Sequence, residues 1–203
     1  IWGNETSHHI FVEDVDGDGE PELIREITGL WNRVTVWKQG GAPTGSENYL
    51  DPIDFTRGPQ EGRPIYNIHF GPGPAPRLAI NNEFIRETQP ILIRDLEVAD
   101  LHGDGRKQIF VALASGWIKA FDGRCRPLWS TPVTAPPTVL KVVKSTAGQM
   151  RLVAGGEDGN VFVLDGRGQL VGRAEVDGCV TTLGEWPDGF VVTTACGMVQ
   201  AMQ

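Results

Sequence analysis

A strand–turn–strand pattern recurs at near-constant spacing along the second half of the chain. Residues 110–124 and 153–167 are two copies offset by 43 residues, each ending in Asp-Gly-Arg, and residues 191–202 are a shorter copy 38 residues further on. Each copy has two runs of β-branched, aromatic and small apolar residues around a glycine turn, which is typical of paired strands. A unit this short cannot bury its hydrophobic face alone, so the repeat requires several similar units packed side by side.

The period predicts an all-β fold, a β-propeller with five four-stranded blades. About 40 residues per unit, with four strands and a turn between each pair, are typical of propeller blades. The 26 glycines and 14 prolines are spread along the chain, which fits many short strands with tight turns. We expect a single domain, 1–203, with blades at 8–50, 51–89, 90–135, 136–178 and 179–203, the last completed by residues 1–7.

The two ends of the chain predict how the ring closes. The last repeat stops at Gln203, before its outermost strand, and the chain begins with Ile1-Trp2, which resembles Leu128-Trp129 in the outer strand of the third predicted blade. Pairing residues 1–7 with the last blade would remove an exposed sheet edge. Because the chain starts without methionine, we also expect a segment processed or excerpted from a longer protein that has other domains.

Composition and charge argue against two classes of partner. The net charge is −8 and no basic stripe is visible, so we expect no nucleic-acid ligand. No apolar run approaches the ~18 residues of a transmembrane helix, so we expect no transmembrane segment.

The sequence has three cysteines, Cys125, Cys179 and Cys196. They are odd in number and at no metal-binding spacing, which favours free or buried thiols, although one pair could form a disulfide.

The acidic stretch 14–22 carries the strongest chemical signal. Its carboxylates stand at positions 1, 3, 5 and 9, with a glycine at position 6, and are Asp14, Asp16, Asp18 and Glu22. Calcium takes about six to eight oxygen ligands, and a loop of this spacing can turn its oxygens inward, with the backbone carbonyl of Glu20 as a further ligand. The alternative is a solvated acidic turn, but four clustered carboxylates repel one another without a cation.

The flanks of this stretch indicate strands and not the helices of an EF-hand. The EF-hand pattern needs a glutamate at position 12, where this chain has Arg25, and residues 9–12 and 23–27 are short runs rich in β-branched and aromatic residues. A calcium loop between two strands resembles the Asp-x-Asp-Gly-Asp-Gly hairpin of integrin-type FG-GAP and related VCBS β-propeller repeats. The resemblance implies Ca²⁺ bracing a blade, loops that bind protein or carbohydrate, and an extracellular or periplasmic location, where millimolar calcium suits a modest site.

Two further patterns repeat these features in weaker form. Residues 116–129 resemble the Gly-x-Val-x-Ala-x-Asp-Gly-x-x-x-x-Leu-Trp repeat of quinoprotein-like (PQQ-like) propellers, but no quinone-binding residues are recognisable, so the resemblance implies the fold alone. A second acidic loop begins 86 residues after the first and keeps Asp100 and Asp104. Because His102 and Gln108 replace two of the carboxylates, the sequence predicts a weak second metal site or a metal-free turn.

The function predicted from these patterns is a non-catalytic module for binding or scaffolding. No nucleophile elbow, catalytic triad or phosphate-binding loop is recognisable. Trp31 and Trp117 lie beside turns and are candidates for an exposed ligand surface, although buried tryptophans packed between blades are more common. The alternative is a propeller domain of a calcium-dependent polysaccharide lyase or other carbohydrate-active enzyme, because rhamnogalacturonan lyases carry similar loops.

Overall fold

The computed structural model describes residues 9–27, 33–38, 66–70, 92–187 and 189–202. Every regular secondary-structure element within these residues is a β-strand, which confirms the predicted all-β class. The strands nearest the N-terminus are β1 (Ile10–Glu13), β2 (Glu22–Ile27), β3 (Arg33–Lys38) and β4 (Tyr66–His69). The remaining strands are β5 (Ile93–Ala99), β6 (Gln108–Leu113), β7 (Trp117–Asp122), β8 (Pro127–Pro132), β9 (Pro137–Lys144), β10 (Met150–Gly156), β11 (Asn160–Leu164), β12 (Leu170–Glu175), β13 (Val180–Trp186), β14 (Gly189–Thr194) and β15 (Val199–Met202). No helix able to cross a membrane occurs in these ranges.

The chain divides into two compact units, of which the first is Ile1–Ile93. Its described strands form one antiparallel sheet in the order β1-β2-β3-β4. β3 is buried along nearly its whole length, and Nε1 of Trp37 donates a 2.9 Å hydrogen bond to Oγ1 of Thr35. The sequence division placed residues 66–69 in the second blade. In the structure they pair with β3, Ile68 opposite Val34, and form the fourth strand of the first sheet, beyond the expected boundary at residue 50.

The second unit, Arg94–Gln203, contains three antiparallel sheets built from strands adjacent in sequence. Their orders are β5-β6-β7-β8, β9-β10-β11-β12 and β13-β14-β15. These sheets fall within the segments 90–135, 136–178 and 179–203 of the sequence division. The two Asp-Gly-Arg turns close equivalent hairpins, because Asp122 Oδ1 accepts from the backbone N–H of Arg124 and Asp165 Oδ1 from that of Arg167.

The inner strands β10 and β11 of the middle sheet of the second unit are buried on both faces. Successive side chains of a strand point to opposite faces, so alternate residues enter two separate cores. The core shared with the β5–β8 sheet contains Leu101, Phe110, Ala112, Ile118, Ala120, Leu140, Val142, Leu152, Ala154, Phe162 and Leu164. The core shared with the β13–β15 sheet contains Val143, Val153, Val161, Val176, Val180, Leu183, Phe190 and Val192.

Hydrogen bonds also join the first strands of neighbouring sheets. The backbone N–H of Leu140 donates to Oδ2 of Asp95 at 2.5 Å, which links β9 to β5. The hydroxyl of Thr138 donates to the Val180 carbonyl at 2.5 Å, which links β9 to β13. At this second junction a Cβ added to Gly155 would lie 2.6 Å from Cβ of Val180 and closer still to its Cγ1. The close approach of the two sheets therefore requires glycine at position 155.

The predicted ring closure falls on residues outside the described ranges. The structure does not describe residues 1–7, which include Trp2, or almost all of the 51–89 blade. The five-blade count and the pairing of the termini therefore stay predictions.

The three cysteines are free thiols. Burial, with a smaller contribution from the charge of Asp122, raises the pKa of the Cys125 thiol to about 12, so this thiol is not a reactive thiolate.

Candidate metal centre

The acidic stretch forms the connection between β1 and β2. Asp14 organises this loop, because its Oδ1 accepts a 2.8 Å hydrogen bond from the backbone N–H of Gly17 and its Oδ2 a 2.9 Å bond from that of Gly19. Both glycines have positive φ, +81° and +89°, a conformation that side chains with a Cβ disfavour. The glycines of the motif therefore let the chain fold tightly around the first carboxylate.

Three of the predicted ligands come together in this loop. Asp14, Asp16 and Asp18 each place a carboxylate oxygen within 4.8 Å of the other two. Calcium–oxygen bonds of 2.3–2.6 Å put ligands on opposite sides of one ion roughly 4.6–5.2 Å apart, so one cation can reach all three. The backbone N–H of Glu20 donates to Oδ1 of Asp18 at 2.9 Å, which holds the position-5 carboxylate in the loop.

The predicted ligand Glu22 lies beneath the loop and is fully buried. Its Oε2 accepts a 3.1 Å hydrogen bond from the backbone N–H of Val15. Its Oε1 lies 3.0 Å from Nζ of Lys38, which also forms an ion pair with Asp18. The hydrogen bond that Lys38 donates to Asp18, and after it the contact with Glu22, raise the pKa of Lys38 above its ordinary value. A charged ammonium group therefore already contacts two of the predicted ligands.

Lys38 is a site residue that sequence reasoning did not identify. It is the last residue of β3 and stands opposite Glu22 in the β2–β3 register. The sequence shows an alternating strand there but not which residue of β2 faces it. The β2–β3 register is the information that places Lys38 at the acidic loop.

The second acidic loop connects β5 to β6 and repeats the same hydrogen bonds. Asp100 accepts bonds from the backbone N–H groups of Gly103 and Gly105, each at 2.6 Å, as Asp14 does from Gly17 and Gly19. The position-9 residue, Gln108, accepts from the Leu101 N–H at 2.8 Å, as Glu22 does from Val15. The Arg106 N–H donates to Asp104 at 3.0 Å, as Glu20 does to Asp18. The two loops are therefore the same hairpin with different charges.

Electrostatics of the second loop favour a turn that is stable by itself. Desolvation acts to raise the pKa of Asp100, but hydrogen bonds from four backbone N–H groups outweigh it and hold that pKa below its ordinary value. His102, at position 3, lies against the β11–β12 turn, where a Cβ on Gly166 would be 2.8 Å from its ring. Asp100 and Asp104 are thus the two carboxylates that the second loop keeps, and both already accept hydrogen bonds from backbone N–H groups of the loop.

The predicted tryptophan surface is only partly within the described residues. Trp31 lies outside them. Trp117 begins β7, is 39% exposed, and has Nζ of Lys119 5.9 Å from its ring centroid. Trp186 at the end of β13 is more exposed, at 55%, and no sequence pattern favoured it. Trp186 lies beside the β13–β14 turn, whereas Trp117 lies beside the β6–β7 turn.

Comparison with known proteins supports a propeller fold. Residues 81–178, which include β5 to β12, match the family model of the λ-carrageenase β-propeller domain. No curated protein matches the sequence.

Two solved structures share the fold over 95% of this chain. BBS1N, in a crystal structure of its complex with ARL6DN, is 15% identical, with a TM-score of 0.52 and 54% of that chain covered. Sqt1 of Saccharomyces cerevisiae is 12% identical, with a TM-score of 0.61 and 45% covered. The chain spans about half the length of these structures. Together the sheets and the comparisons identify the fold as a β-propeller, and its closer resemblance to FG-GAP, VCBS or quinoprotein-like repeats stays a prediction.

Proposed function

We propose that this chain is a non-catalytic β-propeller module that binds carbohydrate. The observation that carries the proposal is the match of residues 81–178 to a propeller domain named for a carrageenase, an enzyme class that acts on a polysaccharide. A net charge of −8 disfavours nucleic acid, whose phosphates need basic partners. The same charge opposes simple ion exchange with an acidic polysaccharide, so affinity would come from specific contacts.

Calcium binding at the first acidic loop is the second part of the proposal. The two hairpins share their backbone hydrogen bonds, yet the second folds with a histidine and a glutamine where the first has Asp16 and Glu22. The carboxylates of the first loop therefore exceed what the turn itself needs. A bound Ca²⁺ would offset two of the three negative charges of Asp14, Asp16 and Asp18 and fasten β1 to β2. Such a site fits an extracellular or periplasmic module, where calcium is millimolar.

A polysaccharide and glycan array, probed with and without calcium, tests the binding function. We expect the wild-type chain to retain λ-carrageenan or related galactans in about 0.5 M NaCl, conditions that suppress ion exchange. A neutral dextran serves as the negative control. Absence of any carbohydrate signal would contradict the proposal and favour a protein ligand, as BBS1 has in its complex with ARL6DN.

An enzymatic role is the second candidate, because one recess in the second unit brings carboxylates together. Glu97, Asp100 and Glu185 line this space of about 400 Å³ beside Lys141. Burial raises the pKa of Glu97, although the hydrogen bond from Lys141 acts against it. A carboxyl group with a raised pKa is a candidate general acid.

The contacts of Glu97 favour a structural role over catalysis. Its Oε1 lies 3.0 Å from Nζ of Lys141 and accepts from the backbone N–H of Val142 at 3.4 Å, so it ties β5 to β9. We therefore expect no turnover of λ-carrageenan by this chain alone. Reproducible release of reducing ends that is lost in Glu97→Gln, with folding intact, would support the enzyme instead.

A further inference from the structure

A recess in the second unit lies between the β9–β10 and β13–β14 turns. It is lined by Lys144, Ser145, Thr146, Glu185, Trp186 and Pro187, and its volume is about 380 Å³. Small-molecule sites span about 300–1,000 Å³ and combine apolar surface with a few converging polar groups. This recess has both components, with one large aromatic ring and hydroxyl, ammonium and carboxylate groups around it.

Trp186 is the distinctive residue of this recess. Trp37 is 1% exposed, so packing in the core explains a tryptophan at that position, but Trp186 is 55% exposed. A single exposed apolar residue is ordinary on a protein surface, so exposure alone indicates no site. Here, however, the exposed ring lines a concave space with hydrogen-bonding groups beside it. A flat ring flanked by polar groups matches the two sides of a sugar, whose C–H face packs on aromatic rings and whose hydroxyls need partners.

We infer that this recess is an oligosaccharide-binding subsite in which Trp186 stacks on a sugar ring. Ser145, Thr146 and Lys144 donate hydrogen bonds to the hydroxyls or acidic groups of the sugar, and Glu185 accepts them. Glu185 also lines the neighbouring recess beside Lys107 and Lys141, so the two recesses share this residue. Two recesses that share a lining residue offer more than one place for a sugar unit, which favours oligosaccharides over monosaccharides.

This inference rests on the proposed carbohydrate-binding function and places its site. The probe is a λ-carrageenan oligosaccharide titrated into the wild-type chain and three variants by calorimetry in calcium buffer. We expect Trp186→Ala to bind at least about tenfold more weakly, as buried aromatic anchors of interfaces do, and Trp186→Phe to stay within about threefold of wild type. Leu170→Ala is the matched control, because it removes an exposed apolar side chain of the same unit that lines neither recess, and it should bind as wild type does.

Two further measurements keep the outcomes distinct. Thermal midpoints should be similar for wild type and Trp186→Ala, since the ring is mostly in solvent. Ligand should change the tryptophan fluorescence of wild type, and that change should be lost in Trp186→Phe. Wild-type binding with unchanged affinity of Trp186→Ala, or an equal loss of affinity in Leu170→Ala, would overturn the inference alone. A wild-type chain that binds no oligosaccharide would overturn the proposed function as well.

Discussion

Nζ of Lys38 lies 3.0 Å from Oε1 of Glu22, its cross-strand neighbour, and the same ammonium group is paired with Asp18. Lys38 thus contacts two of the five residues proposed to coordinate calcium. Its raised pKa keeps it charged throughout the physiological range. Lys38 and a cation therefore compete for the same carboxylates, and calcium binding requires the ammonium group to move away from Asp18.

Replacing Lys38 by glutamine should strengthen calcium binding. The substitution removes a positive charge beside a site proposed to hold a divalent cation, and Coulomb's law for such charges about 5 Å apart near water predicts roughly a tenfold gain in affinity. Calcium titration by calorimetry measures it. Lys119→Gln, which removes a lysine of the second unit, is the control and should leave calcium affinity unchanged. Equal affinity of Lys38→Gln and wild type would count against this placement of the ion.

Removing a ligand should abolish the effect of calcium on stability. A site occupied at a hundred times its dissociation constant stabilises the fold by about 2.7 kcal/mol, so the midpoint of thermal unfolding should rise between EDTA and calcium buffers. Asp16→Ala should lose this rise. Asp104→Ala, which removes a carboxylate of the second loop instead, should retain it. If wild type melts at one temperature in both buffers and shows no heat on calcium addition, the calcium proposal fails.

The sequence was informative where a feature depends on residues close together in the chain. The acidic loops, the Asp-Gly-Arg turns and the hairpin repeats are local, so spacing and turn chemistry predicted them. β4 was assigned to another blade because 27 residues separate it from its partner strand β3. Register across that gap is set by tertiary packing, which the local pattern does not contain.

The features missed at the candidate sites have the same physical origin. Lys38 reaches the acidic loop through the β2–β3 register. Trp186 lines a recess because two turns, about 40 residues apart in sequence, lie side by side. Trp117 was favoured over it because both lie beside turns, and the sequence does not show which turns face a common recess.

Asp100 should make the stability of the second loop depend on pH. Its pKa is lower in the folded chain than its ordinary value of 3.8, so its contribution is present above that value and is lost as pH falls through the folded pKa. Asp100→Ala should therefore lower the free energy of unfolding at pH 7, by about 1 kcal/mol, and the difference from wild type should shrink at pH 2–3. Urea unfolding at both pH values measures it.

Asp104→Ala is the control for this pH effect. Asp104 accepts a hydrogen bond from the Arg106 N–H, whereas Asp100 accepts from four N–H groups, so the control should cost less at pH 7. A difference between wild type and Asp100→Ala that stayed constant from pH 7 to pH 2 would show that the charge of Asp100 contributes nothing to the turn.

Gly155→Ala should destabilise the chain by overpacking the junction of two sheets. The new methyl group would lie 2.6 Å from Cβ of Val180, closer still to its Cγ1, and 3.0 Å from Cγ1 of Val139, all inside ordinary contact distance. Overpacking of this kind costs about 1–3 kcal/mol, which for a chain of this size lowers the thermal midpoint by roughly 2–12 °C. Calorimetric unfolding measures the change.

Gly172→Ala is the matched control for this substitution, because a methyl group there meets Val163 Cβ at 3.4 Å, an ordinary contact, and should be neutral or slightly stabilising. Val180→Ala provides the complementary half of a double-mutant cycle. It opens space where the Gly155→Ala methyl must go, so the double variant should lose less stability than the two single variants together. Strictly additive losses would mean that residues 155 and 180 do not press on each other. The close approach of β10 and β13 would then not be the reason for glycine at position 155.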